Sequence, residues 1–183
     1  MEFSNQQKLI ITLLTDIHAK LEIDNSVDPV FVQRMAQGDQ GWALEWAYPG
    51  LFEEAGETPA EVRFVADVLD MWEAIELSYA NLNEEQKAEL EVAAPVFGRD
   101  PSFQGFDGNN EAQLRGIVSI LVNDLGRWET FKGRDTNSHF EASDGYRRML
   151  AVYEDILGEE FEFDPTATQL AEILNARVHP GNR

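Results

Sequence analysis

Two arginines, Arg127 and Arg148, are the groups best suited to chemistry in this sequence, because basic residues are scarce in it. The chain has 34 acidic and 14 basic residues among 183. A guanidinium is a planar fork of donors that matches a carboxylate or another anionic ligand. We therefore predict a ligand-binding or partner-binding site between the loop at 96–110 and the helix at 146–150. Its candidate residues are Phe106, Asp107, Glu111, Arg127, Trp128, Tyr146 and Arg148.

Structural roles compete with binding for the same residues. Asp124 and Arg127 are three positions apart, so on a helix they could form a salt bridge across one turn. We predict that Arg127 pairs with Asp107 or Asp124 and holds the loop at 102–110 against the following helix. Phe106 could pack in the core instead of lining a pocket, since aromatic side chains are usually buried.

Catalytic and metal-binding patterns are absent or incomplete. There is no cysteine, which excludes disulfides and thiolate chemistry, and no nucleophile elbow, P-loop or zincin motif occurs. Runs starting at Asp107 and Asp135 place metal-ligand side chains at every second position, as EF-hand loops do, but both lack the glycine at position six and the glutamate at position twelve. The second run, through His139 and Glu141, leaves a metal site open as an alternative. We predict no catalytic residue, no metal and no cofactor, and lean towards a protein that is not an enzyme.

A central helix over about 110–131 must position several of the candidate residues. Its apolar positions recur at the three-and-four spacing of one helix face: Leu114, Ile117, Val118, Leu121, Leu125 and Trp128. A strip of small residues lies opposite them: Ala112, Gly116, Ser119, Asn123 and Gly126. The strip predicts that another element or chain packs closely there, the alternative being that Gly126 merely ends the helix.

Capping signals predict the remaining helices. Capping boxes begin at Ser4 and Asn83, and an N-terminal proline follows a capping residue at Asp28 and at Thr58. The first helix carries one apolar stripe that we expect to pack on the core: Leu9, Ile10, Leu13, Leu14, Ile17 and Leu21. Residues 159–163 are expected to be an extended linker. Together these signals predict an all-α, compact single-domain bundle (1–183) of about seven to eight helices around the central helix.

The formal net charge of −20 at pH 7 limits the partners of the chain. Such a field repels phosphates and anionic lipid heads, so we predict no nucleic-acid and no membrane partner. No apolar run approaches the roughly 18 residues of a membrane span, and the first residues do not form a signal peptide. We expect a soluble, cytoplasmic protein.

Four segments carry a resemblance to a known family. They are MEFSNQQKLIITLL at the start, FQGFDGNNEAQLRGIVSILVNDLGRWETF at 103–131, YRRML at 146–150 and TATQLAEILNA at 166–176. Together they resemble the YfbU family of uncharacterised bacterial proteins over nearly the whole chain. The resemblance implies a compact helical fold of bacterial cytoplasmic origin, and it implies no reaction.

Two functions remain open at this point. The leading hypothesis is a non-enzymatic regulatory or protein-interaction domain that self-associates, with a dimer favoured. Its interface would be the small-residue strip or the aromatic cluster of Trp42, Trp46 and Tyr48. The alternative is a protein that binds a small anionic ligand, or an enzyme of unrecognised type, at the candidate site named above.

Overall fold

The computed structural model describes residues 2–24, 27–52, 56–158 and 165–182, and helices dominate this part of the chain. The helices are α1 (Asn5–Lys20), α2 (Pro29–Gln37), α3 (Gly41–Ala47), α4 (Ala60–Asn81), α5 (Glu84–Ala93), α6 (Ala112–Ser119), α7 (Ser143–Leu157) and α8 (Ala167–Ala176). A π-helical turn, Ile120–Asp124, continues α6, and 3₁₀ turns cover Glu129–Phe131 and Pro180–Asn182. No strand occurs among the described residues, which confirms the all-α prediction. The linker expected at 159–163 lies outside the described residues.

The helix starts follow from local hydrogen bonding. Reciprocal capping boxes form at Ser4 and Asn83, as predicted, and a third forms at Thr166. Asp28 accepts hydrogen bonds from the backbone N–H groups of Val30 and Phe31 at the start of α2. Each such cap satisfies N–H groups that a helix terminus leaves without an intrahelical partner.

Helix α4 is the core of the bundle. Eight of its residues are buried, including Val65, Leu69 and Trp72, and it contacts both α6 and α7. The ring of Trp72 meets Phe103 from the loop after α5 and Tyr146 from α7. The bundle is therefore organised around α4 more than around the helix predicted at 110–131.

That predicted helix is shorter than expected. Regular α-helix begins at Ala112, and the helical run ends at Asp124 instead of 131. Gly126 and Trp128 then adopt positive φ angles of 62° and 47°, which a right-handed helix excludes. The small-residue strip is exposed along its length, and a Cβ built on Gly116 or Gly126 would meet no atom within 4 Å. Within the described chain, no other element packs tightly against this strip. Gly126 ends the helix, which was the alternative explanation for its place in the strip.

Helix α1 contradicts the prediction that its apolar stripe packs on the core. It packs on α2, but it contains no buried residue. The stripe faces outwards, with exposed fractions of 55–65% for Leu9, Ile10, Leu13, Leu14, Ile17 and Leu21. Periodicity identified the apolar face correctly but could not tell what covers it. Among the described helices, none combines the length and apolarity needed to cross a membrane.

Candidate functional site

Glu111 is a buried carboxylate that joins the loop before α6 to the start of α7. Its Oε2 accepts hydrogen bonds from the backbone N–H groups of Asp107 and Ala142, both at 2.9 Å. Its Oε1 accepts one from the N–H of Ser143 at 2.8 Å. Burial raises the pKa of Glu111, but these bonds outweigh it and the net pKa lies below the ordinary value. The residue caps α7 from a distant position in the sequence.

Asp107 orders the turn that leads into α6. It is 3% exposed, and its carboxylate accepts hydrogen bonds from the backbone N–H groups of Asn109 and Asn110, both at 3.2 Å. The Asn110 amide adds a bond of 2.6 Å. The bond from Asn109 is the main reason that the pKa of Asp107 is lowered. Asp107 therefore caps this turn.

Phe106 and Tyr146 meet in the core. Their ring centroids are 5.5 Å apart, and both residues are fully buried. The Tyr146 hydroxyl donates to the carbonyl oxygen of Gly105 at 3.1 Å. Burial raises the pKa of Tyr146 to about 12. The structure thus brings together Phe106, Asp107, Glu111 and Tyr146, but as a closed structural junction.

Arg127 and Trp128 lie elsewhere, against α3 and α4. The Arg127 guanidinium carbon is 4.5 Å from the ring centroid of Trp46, and the Trp128 indole N–H donates to Asp70 at 2.7 Å. Asp124 pairs with Arg34 at 2.5 Å. The predicted ion pair of Arg127 with Asp107 or Asp124 is therefore wrong. The reason is that the chain leaves the helix after Asp124, so the assumed one-turn spacing does not apply.

Arg148 is held at the end of α8. Its Nε donates to the carbonyl oxygen of Ala176 at 3.0 Å, and its Nη2 donates to that of Arg177 at 2.7 Å. A cation at this end also complements the negative pole of the helix dipole. Arg127 and Arg148 are thus bound to different elements, so they do not form the two-arginine site expected from sequence.

A second arginine does share a cleft with Arg148. The cleft has a volume of about 390 Å³ and is lined by both Arg148 and Arg177. Arg177 is only 7% exposed, and sequence reasoning missed it. The only local sign of its role is its position, as a single basic residue directly after the apolar face of α8 in an acidic chain. The contacts that bury Arg177 come from residues far away in sequence.

The acidic and phenolic candidate groups are engaged within the fold. The carboxylate oxygens of Glu111 and Asp107 accept hydrogen bonds from backbone N–H groups, and Tyr146 is buried in the core. Within the described ranges, no group of three or more histidine, aspartate or glutamate side chains is arranged to hold a metal ion. In the second alternating run, Asn137 instead accepts hydrogen bonds from the N–H groups of Gly108 and His139.

The loop before α6 and the first turns of α7 hold most of the candidate residues, and both lie in segments that carried the family resemblance. Comparison with protein-family models gives a match to the YfbU domain over residues 1–176. This match covers nearly all of the chain, including every candidate residue named from the sequence, and Arg177 lies one position beyond it. The chain therefore belongs to the YfbU family.

Proposed function

We propose that this protein is a non-enzymatic interaction domain that forms a homodimer through helix α1. The observation that carries the proposal is the apolar stripe of α1, whose six aliphatic side chains are each 55–65% exposed. Such a contiguous stripe is unusual on a monomer, since exposed apolar patches of this kind commonly mark interfaces. The occupant we propose is the same stripe of a second copy.

The stripe supplies a large part of the apolar area that a dimer needs. At about 25 cal/mol per Å², the roughly 1.5–3 kcal/mol gained by burying a whole aliphatic side chain corresponds to about 60–120 Å². Six side chains that are each 55–65% exposed therefore offer roughly 210–430 Å² per copy. A standard interface buries about 800 Å² per partner, of which about 60% is apolar. Burying both stripes completely would gain at most about 11–22 kcal/mol, against an association cost of about 4–15 kcal/mol.

Charge also favours a second copy on this face. The chain carries 34 acidic residues and a net charge of −20, so most pairings of two copies are repulsive. Helix α1 contains a single acidic residue, Asp16, beside Lys8 and Lys20. Two copies that meet through α1 thus avoid the repulsion that other faces would create.

The two interfaces expected from sequence are less suitable. Trp42 is buried and its ring packs edge-on against Trp46 at 5.6 Å, and Arg127 stacks on the same Trp46 ring. These aromatic groups are therefore engaged within the chain. The small-residue strip borders an open cleft with Arg115, Arg134 and Asp135, so it lacks the apolar surface that drives association.

The test is the mass of the full chain by analytical ultracentrifugation at concentrations on the order of 10 µM. We expect a dimer for the wild type and a monomer for Leu13→Glu and for Ile17→Glu, because each would bury a carboxylate without a partner. Val92→Glu is the matched control, since Val92 is 82% exposed on α5. This control should remain dimeric. A monomeric wild type would refute the proposal.

A second candidate function is the binding of a small anionic ligand. The observation that favours it is the cleft lined by Arg148 and Arg177, which lies beside the 96–97 segment and α7, close to the position expected from sequence. A thermal-shift screen against anionic metabolites tests this function, because a ligand that binds only the folded chain must raise its melting temperature. If no anion in a broad panel stabilises the chain, this second function is left without support.

A further inference from the structure

The cleft beside α8 combines apolar walls with a cationic floor. Val96, Phe97 and Phe140 form its walls, and Arg148 and Arg177 line it from α7 and from the end of α8. Phe140 and Val96 are 46% and 63% exposed, so they stand at the mouth. Gly145 also lines the cleft, and any side chain there would crowd Arg177, because a Cβ would lie 3.2 Å from the Cγ of Arg177.

Arg177 is a buried cation without an anion. Its guanidinium carbon lies 4.4 Å from the ring centroid of Phe97 and 5.3 Å from that of Tyr146. Its Nη2 donates to the side-chain oxygen of Gln104, a neutral acceptor, at 2.8 Å. Across the described ranges it makes no ion pair with a carboxylate. Aromatic faces and one amide compensate such a charge only in part, and burying an unpaired charge is costly.

Further donors border the same region. Arg148 uses its Nε and one terminal nitrogen on backbone carbonyls, which leaves donors on its other terminal nitrogen. A smaller cavity of about 80 Å³ shares Val96, Phe97 and Arg177 with the cleft and is also lined by Trp72. The buried indole N–H of Trp72 has no acceptor within the described chain. Donors in excess of acceptors around one buried cation favour an acceptor from outside the chain.

We propose that this cleft binds the carboxylate of a small organic acid with an apolar body, held by Arg177 and Arg148. The inference rests on the anion binding proposed above and names its site and ligand class. The walls match an apolar body, and the paired guanidinium forks match a planar carboxylate. Glu141 and Asp144 also line the cleft, and their charges oppose a phosphate or another multiply charged ligand.

The electrostatics of Arg177 agree with this geometry. Burial lowers the pKa of Arg177, and the neighbouring Tyr146 offsets this effect in part. A guanidinium nevertheless stays protonated in proteins. A bound carboxylate would supply the opposite charge that this site lacks.

The experiment is calorimetric titration of the full chain with sodium phenylacetate, with 2-phenylethanol and phenyl phosphate as comparison probes. We expect saturable binding of phenylacetate, and much weaker binding of the neutral alcohol and of the phosphate. Arg177→Met should weaken phenylacetate binding about ten- to hundred-fold, the effect of losing one charged hydrogen-bonding partner. Arg147→Met is the matched control, because Arg147 also stacks on a ring, that of Phe64 at 4.0 Å, but does not line this cleft.

Glu141→Gln gives a test that does not depend on how Arg177→Met folds. Glu141 is exposed, and removing its charge should tighten phenylacetate binding about two- to five-fold. The proposal is overturned if the wild type shows no saturable binding up to about 10 mM acid, if the alcohol or the phosphate binds as well as the acid, or if Glu141→Gln weakens binding. Equal binding by Arg177→Met and the wild type would leave anion binding intact and refute this site alone.

Discussion

The carboxylate of Glu111 and the backbone N–H of Ser143 form a hydrogen bond of 2.8 Å across 32 positions of sequence. Because Ser143 opens α7 and Ala142 offers no side-chain cap, Glu111 supplies the cap that the local sequence lacks. The same carboxylate closes the loop at Asp107. One side chain thus sets the distance between the loop at 102–110 and α7, which borders the proposed carboxylate cleft.

Glu111→Gln should destabilise the fold by about 1–3 kcal/mol, since an amide keeps one acceptor oxygen but loses the charge-assisted bonds. Urea unfolding at pH 7 measures the change. Glu141→Gln removes an equal charge from an exposed position and should change the free energy of unfolding by less than about 0.5 kcal/mol. Equal values for the two variants would contradict the capping role of Glu111.

The same residue makes a prediction about pH. The folded-state pKa of Glu111 lies below its ordinary value of 4.5, so the unfolded chain binds its proton more tightly. Its contribution to stability is therefore fully present above that ordinary pKa and is lost as the pH falls through the folded-state pKa. The difference in unfolding free energy between the wild type and Glu111→Gln should shrink on acidification. A difference that does not change between pH 7 and acid would contradict this linkage.

Arg127 has a smaller role than its position in the sequence suggested. It is exposed and stacks on Trp46, and an exposed cation–π contact is worth about 0.5–1 kcal/mol. Arg127→Ala should therefore cost no more than about 1 kcal/mol in urea unfolding, and Arg127→Lys should cost less because lysine can also lie over the ring. A loss on the order of 3 kcal/mol would instead indicate a buried ion pair.

Helix caps formed by near neighbours could be predicted from the sequence, whereas the contacts of Arg127 could not. Capping boxes at Ser4 and Asn83 depend on neighbours three residues apart, so the sequence predicted them. The salt bridge of Arg127 also looked local, but it assumed a helix that Gly126 and Trp128 end.

Burial was harder to predict than helix position. The α1 stripe has the same periodicity as the α4 stripe, yet α4 is enclosed and α1 is exposed. Arg177 depends on Gln104, 73 positions away, and on rings from four separate segments. No pattern within α8 could predict these contacts, because they arise only when distant segments pack together.

Gly105 should be intolerant of any side chain. A Cβ at this position would lie 1.9 Å from the carbonyl oxygen of Thr136, and the φ angle of 82° already disfavours other residues. We expect Gly105→Ala to cost at least about 3 kcal/mol in unfolding free energy, in the range of severe overpacking. Gly126→Ala is the control, since it shares a positive φ but has open space around it. This control should cost only about 1 kcal/mol, and similar losses in both variants would exclude the steric explanation.

Tyr146, which packs against this same loop, should make the stability of the fold depend on pH in the alkaline range. Its hydroxyl donates to Gly105, so Tyr146→Phe should cost about 1–2 kcal/mol near neutral pH by leaving a buried carbonyl without its donor. Burial raises the pKa of Tyr146 from 10.0 to about 12, so the folded chain keeps a proton that the unfolded chain loses. The stability of the wild type should thus fall relative to Tyr146→Phe as the pH rises from about 10 towards 12. If the difference in unfolding free energy between the two proteins stays constant over this interval, Tyr146 ionises equally in the folded and unfolded states.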